Sequence, residues 1–175
     1  LVWINPIEDG QTREVLDQLL EDVASQGVMV STKPDTIAKL GTKRVLYDTQ
    51  KMPWGSDVWL YETFENFKTD FKKSLSESGT RVLKQYRGDG GNGVYKVSLE
   101  HGMDNAIEVL HAKRGSVAER LSIEEVFEKF EPYFEGDRPM IDQKWHEDMH
   151  NGVVRCYLTG AKVAGFGYQE INALY

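Results

Sequence analysis

The stretch Arg81-Val-Leu-Lys-Gln-Tyr-Arg-Gly-Asp-Gly-Gly-Asn-Gly-Val-Tyr-Lys-Val97 decides how this chain is read. An apolar run ends at Lys84, breaks into Gly88, Gly90, Gly91 and Gly93 within six residues, and resumes as a second alternating run. The pattern predicts a strand, a glycine loop and a returning strand, with Leu83 and Val97 on the packed face of the hairpin. A hairpin that needs only a turn uses two loop residues, such as Asn-Gly or Asp-Gly. The longer loop here suits a polyanion. Backbone N–H groups of a glycine-rich turn can converge on phosphate oxygens, and Lys84 would add a fixed positive charge on the adjoining strand.

On either side of this hairpin the hydrophobic spacing changes character. Residues 1–5 read as a short strand. From Thr12 to Ser25 the positions Val15, Leu16, Leu19, Leu20 and Val23 recur at helical spacing, and Gly27 stands where a helix stops. Val28-Met-Val30 reads as a second strand, so the start resembles half of a Rossmann-like unit that lacks its glycine fingerprint. Two short helices, 35–40 and 42–49, are split by Gly41. Phe64, Phe67, Phe71 and Leu75 mark a longer helix closed by Gly79. Beyond it, strands are expected at 81–86, 93–99 and 106–111. A helix follows near 123–131, opened by the capping box Ser122-Ile-Glu-Glu125. Three more strands are expected at 139–145, 153–159 and 162–168. The predicted class is α+β, with a boundary near residue 79. An α/β portion (1–79) precedes an antiparallel-sheet-plus-helix portion (80–175).

Composition narrows the function classes. The chain has 175 residues, 40% hydrophobic and 28% charged, which is ordinary for a globular domain. A formal charge of −7 argues against general nucleic-acid binding, which rests on neutralising many phosphates. Cys156 is the only cysteine, so no internal disulfide can form, and a reducing, cytoplasmic location is expected. No apolar run reaches the length of a membrane span. The apolar first residues and the ending at Tyr175 read as a segment of a longer protein.

Four segments in order carry a family resemblance. Val82-Leu-Lys84, the glycine loop and Gly93-Val-Tyr-Lys-Val97 together resemble the phosphate-binding hairpin of ATP-grasp proteins. Pro139-Met-Ile-Asp-Gln-Lys-Trp145 resembles the strand and hinge that hold adenine. The run from Gly152 to Gly165 is similar to the hairpin after the hinge, and Gly41-Thr-Lys43 to the earlier lysine of the fold. The resemblance covers roughly residues 35 to 169 and is closest to ATP-grasp-like proteins without an assigned substrate.

It implies an ATP site. Lys84 would neutralise the α- and β-phosphates, and Lys43 would add a second charge. Arg87, Gly88, Gly90, Gly91 and Gly93 would close over the phosphates. Asp142 would stand near the adenine amino group, with Gln143 and Trp145 supplying backbone contacts and an apolar wall. Glu147, or Asp148, would meet the ribose, and Arg155 would face the triphosphate. It implies Mg2+ as well, with ligands expected beyond Tyr175, because Glu170-Ile-Asn172 follows Asp142 too soon for the usual fold. The parent protein would join an unidentified small-molecule or peptide carboxylate to an amine or thiol through an acyl-phosphate. The segment alone would bind nucleotide without turnover. Val153-Val154, where relatives often carry a glutamate before the arginine, leaves room for a non-catalytic binding module instead.

Two other motifs compete. His146-Glu-Asp-Met-His150 spells H-E-x-x-H, which on a helix places two imidazoles one turn apart on a zinc ion. Here a strand precedes it and Asn151-Gly152 ends it at once, so a polar loop is the better reading and no metal ligand is assigned. Arg87-Gly-Asp89 spells an adhesion tripeptide, which three residues do not establish.

Overall fold

The computed structural model describes residues 13–31, 33–88, 90–100 and 106–171. The strand expected at 1–5 lies outside the described residues. The fold is mixed α+β. Its centre is a six-stranded antiparallel sheet with spatial order β1-β6-β2-β3-β4-β5. The strands are β1 (Val58–Tyr61), β2 (Thr80–Gln85), β3 (Val94–Leu99), β4 (Ile107–His111), β5 (Glu119–Leu121) and β6 (Met140–Lys144).

Two helices cover one face of the sheet. Along α4 (Phe64–Ser78), Phe67, Phe71 and Leu75 fall on one stripe and are buried, as helical periodicity requires. Thr63 caps the start by accepting from the Asn66 amide at 3.1 Å. Gly79, at φ 69°, ends the helix with its N–H on the Leu75 carbonyl. In α5 (Ile123–Phe130) the capping box forms as expected, with Ser122 and Glu125 satisfying each other's backbone donors. Val126 and Phe130 bury the inner side of α5. These helices meet Tyr61, Leu83, Tyr95, Val97, Ile107, Val109 and Met140 from the sheet in one core. Each fully buried aromatic or aliphatic side chain contributes roughly 1.5–3 kcal/mol by leaving water. The boundary expected near residue 79 falls between α4 and β2, two elements of this same core.

The opposite face carries α3 (Arg44–Asp48), which packs on β1 and β6, with α2 (Pro34–Leu40) beside it. Helix α1 (Glu14–Ser25) forms as its periodicity predicts but buries none of its residues. The strand expected at Val28–Val30 does not form. Its residues have no strand partner among the described residues, and Met29 stands exposed. Strand β1 was not anticipated, because Trp54-Gly55 and the brevity of Val-Trp-Leu-Tyr hide it in what reads as a loop. β5 is shorter still, with Glu119 and Arg120 charged.

After β6 a five-residue 3-10 turn, Glu147–Asn151, leads into a separate two-stranded sheet of β7 (Val153–Thr159) and β8 (Lys162–Gln169). Thr159 pairs with Lys162, so Gly160-Ala161 form a two-residue turn led by a glycine at φ 60°. Val154, Leu158, Val163, Phe166 and Tyr168 share one face of this hairpin and are all exposed. Among the described residues, no helix is long and apolar enough to cross a membrane.

Candidate functional site

Side chains alternate along β2 and β6, so the two strands show one set of residues to the helices and another to the opposite face. Val82 pairs with Gln143 and Lys84 with Ile141, which puts Val82, Lys84, Ile141 and Gln143 on the face away from α4 and α5. Lys96 and Trp145 belong to the same face. The Lys96 ammonium lies 4.4 Å from the centroid of the buried Trp145 ring.

Lys84 is the centre of this face. Its Nζ donates to Gln143 Oε1 at 2.5 Å, and Gln143 Nε2 in turn donates to Ser56 Oγ at 2.8 Å. Burial, with the like charge of Lys43 added, lowers the Lys84 pKa from 10.5 to about 8. No carboxylate enters that balance. Lys43 arrives from the N-terminus of α3, and two bonds stitch it to the hairpin. Its backbone N–H donates to the Tyr86 carbonyl at 3.0 Å, and its Nζ donates to the Gly88 carbonyl at 3.0 Å, 45 residues away. Two ammonium groups are thus brought to the mouth of the glycine loop. Thr42, beside Lys43, is 4% exposed, and its Oγ1 has no hydrogen-bond partner among the described residues.

The loop is anchored at its base by the Gln85 amide donating to the Gly93 carbonyl at 2.7 Å. Gly93 has φ 59°, and a Cβ there would fall 2.2 Å from the Gln85 side chain, which is tucked beneath the loop. Gly91, at φ 82°, passes so close to β4 that a Cβ would lie 2.1 Å from the Ala112 carbonyl oxygen. Both positions therefore require glycine for conformation and close approach, before any ligand is considered. Gly88 and Gly90 form the outer part of the loop. Asp89, between them, lies outside the described residues. Arg87 lies with its guanidinium 5.8 Å from the Tyr86 ring centroid.

In comparisons with known proteins, no family model, no curated protein and no solved structure matches the chain. The site is read from its own geometry.

The remaining expected residues lie elsewhere in the fold. Asp142, expected beside an adenine, points the other way, into the core, and is fully buried. Its Oδ1 accepts from Arg81 Nε at 2.5 Å, and its Oδ2 accepts from Ser74 Oγ at 2.5 Å and Tyr61 Oη at 2.6 Å. Arg81 also pairs with Asp57 at 2.8 Å. The carboxylate ties β1, β2, β6 and α4 together and is fully buried in that network. Arg155 sits on β7, where its Nε donates to Gln169 Oε1 at 2.5 Å. Glu147 and Asp148 are exposed on the 3-10 turn. None of the described contacts links Arg155 or Glu147 to the two lysines.

The H-E-x-x-H segment is a 3-10 turn, not an α-helix. Its three residues per turn do not stack positions four apart. His150 Nδ1 is bonded to the Glu147 carbonyl at 2.7 Å. Among the described residues, no group of three or more His, Cys, Asp or Glu gathers in metal-binding range.

The face that holds Lys43, Lys84, Gly88, Gln143 and Trp145 therefore collects part of the expected set. Ser56 and Thr42 join it without having been singled out. Thr42 lies inside the Gly41-Thr-Lys43 segment, whereas Ser56 lies in no recognisable motif and only the fold brings it near.

Proposed function

We propose that this chain binds the polyphosphate of a nucleotide, with ATP as the expected ligand, at the face carrying Lys84 and Lys43. The observation that carries this reading is a half-buried lysine held by an amide oxygen and beset by a second lysine, with a glycine loop beside both. Such a pair is unfavourable by itself, because like charges at close range raise each other's cost. A bound phosphate reverses the sign, turning both ammonium groups into charge-assisted donors. The loop amides around Gly88, Gly90 and Gly91 would add backbone donors.

With this reading goes the larger one, that the chain is the nucleotide-gripping part of an ATP-grasp-type protein. The parent chemistry would be transfer of the γ-phosphoryl group to a carboxylate oxygen, giving an acyl-phosphate and ADP. An amine or thiol would then displace phosphate. Lys84 and Lys43 would hold the phosphates and offset the charge that builds on the transferring group, where positioning and electrostatics dominate. Magnesium, which serves such reactions, does not fit the described residues. Glu147 and Asp148 stand exposed, and no metal-binding group gathers among the described residues. No step is therefore routed through it. A second reading, in which the chain binds nucleotide without turning it over, rests on Val153-Val154 standing where the resemblance expects a glutamate before Arg155.

Calorimetric titration with ATP, tripolyphosphate and adenosine tests the proposal. ATP and tripolyphosphate should bind and adenosine should bind far more weakly. Lys84→Ala should lose most of the affinity, while Lys84→Arg retains part of it. Wild-type protein that ignores both polyphosphates would sink the proposal.

A further inference from the structure

Two elements of the chain keep apolar faces open to solvent, and they are of opposite kind. The β7–β8 hairpin is a sheet without a layer on it. Val154 pairs with Tyr168, Cys156 with Phe166 and Leu158 with Val163, which puts six apolar side chains on one face. Phe166 is 71% exposed and Val154 70%. Helix α1 is a layer without a sheet. Val15, Leu16, Leu19, Leu20 and Val23 fall on one arc of it, yet none is buried, and Val15 is 85% exposed.

Their charges are opposite too. α1 carries Glu14, Asp17, Glu21 and Asp22, with no basic residue in its last turn. Among the described residues, Asp17 alone of these four has an ion pair, with Arg13. From residue 153 to 169 the hairpin carries Arg155 and Lys162 and no carboxylate. Arg155 donates to the neutral Gln169, and neither cation has an ion pair among the described residues. A helix laid over the hairpin would bury both apolar faces, the ordinary way in which a sheet is closed. It would also bring surplus acid beside surplus base.

We infer that the chain forms a closed twofold pair, in which α1 of each copy covers the β7–β8 face of the other. Within one copy α1 packs beside α2 and leaves the hairpin bare. A second copy supplies to each face the partner that it lacks, and a twofold axis makes the exchange mutual. Pairing like with like would instead set the acidic helix against its own charge, or the basic hairpin against its own.

Area decides for the mutual form. With aromatic side chains burying about 150–250 Å² each, one contact covers roughly 800 Å² counted on both surfaces, the scale of a crystal contact. Two such contacts reach roughly 1,600 Å², the usual size of a specific interface.

Sedimentation velocity on the full chain tests the pair, at about 0.15 M salt. There the repulsion between two copies of formal charge −7 is screened beyond about 8 Å. Wild type should pass from one copy to two at about micromolar concentration, the weak end for interfaces of this area, and the mass should stop at two. Phe166→Arg and Leu19→Glu should each weaken pairing by at least about thirtyfold, the scale of a buried anchor. Thermal unfolding of both variants in dilute solution should match wild type, because Phe166 and Leu19 stand exposed on the single copy. Mixed in equal amounts, the two variants should pair again. One contact is then intact, and in the other the new carboxylate meets the new guanidinium.

Hydrogen exchange on wild type gives a reading free of any variant. Concentrating the protein should slow exchange in α1 and in residues 153–169 together. A chain that stays single under these conditions would overturn the pair and leave both faces to partners of another kind. A mass that climbs past two would overturn the closed form. Variants that fail to pair when mixed would also overturn it, since that is the result expected if hairpin meets hairpin.

Discussion

Strands β2 and β6 present the same kinds of residue to two different sides, and the outcomes are opposite. Toward the helices, Arg81 and Asp142 meet at 2.5 Å with Asp57, Tyr61 and Ser74 completing the network. Charge there is matched inside the protein. Toward the other side, Lys84 is half-buried, with the oxygen of Gln143 as its one hydrogen-bond partner among the described residues and Lys43 for a neighbour. Charge there is left over. A buried charge that the protein has satisfied reads as architecture, and one that it has left short of an anion reads as a place for a ligand.

Breaking the matched side should give the largest effect. Asp142→Ala leaves the buried Arg81 with Asp57 as its remaining carboxylate, and removing one partner of a buried pair costs about 3–5 kcal/mol. Urea unfolding should show a loss of that size. A loss below about 1 kcal/mol, the scale of an exposed pair, would mean that the network is not what joins α4 to β1, β2 and β6.

The opposite side should behave the other way. Lys84→Met removes a charge that is costly where it stands, so stability at pH 7 should hold or rise. The pH dependence has a definite sign. Lys84 carries a folded value of about 8 against an ordinary 10.5, so between these the unfolded chain binds more protons. This group therefore makes the fold more stable as pH rises through that window, and polyphosphate affinity should fall over the same range as the free lysine neutralises. Unfolding curves of wild type and Lys84→Met, compared from pH 7 to 10.5, should differ by that slope. Parallel curves would show that Lys84 is an ordinary solvated lysine.

The smallest effect sharpens the comparison. Gln143→Leu leaves the sheet intact but takes the oxygen that steers Lys84 Nζ. Polyphosphate affinity should drop by roughly two- to tenfold, the scale of one hydrogen bond, with stability almost unchanged. An effect as large as that of Lys84→Ala would mean that Gln143 itself meets the ligand.

Local patterns carried much of the fold. Ser122 and Glu125 announce α5, the stripe of Phe67, Phe71 and Leu75 announces α4, and the runs flanking the glycine loop announce β2 and β3. These signals lie within one or two turns of the residues that answer them. Val28–Val30 shows the limit, since an apolar triplet becomes a strand only where a partner strand exists. β1 shows the converse, a four-residue strand made by its pairing with β6.

The site was legible to a lesser degree for the same reason. Lys84 and the glycines adjoin in sequence, but the direction in which Asp142 points depends on Arg81, 61 residues earlier. The hinge resemblance counted Asp142 and Gln143 together, yet strand alternation sends them to opposite faces. For the glycines themselves, close packing against Gln85 and Ala112 explains part of the pattern that the sequence alone credits to phosphate.

The most direct measurement follows the Lys84 Nζ signal by NMR through a pH titration, with and without tripolyphosphate. Free protein should titrate near the value of about 8 set by burial and Lys43. Bound tripolyphosphate should move that midpoint up toward 10.5 or beyond, with proton uptake on binding at pH 8–9. A Lys84 midpoint that stays in place while saturating tripolyphosphate is present would contradict an anion site on this face.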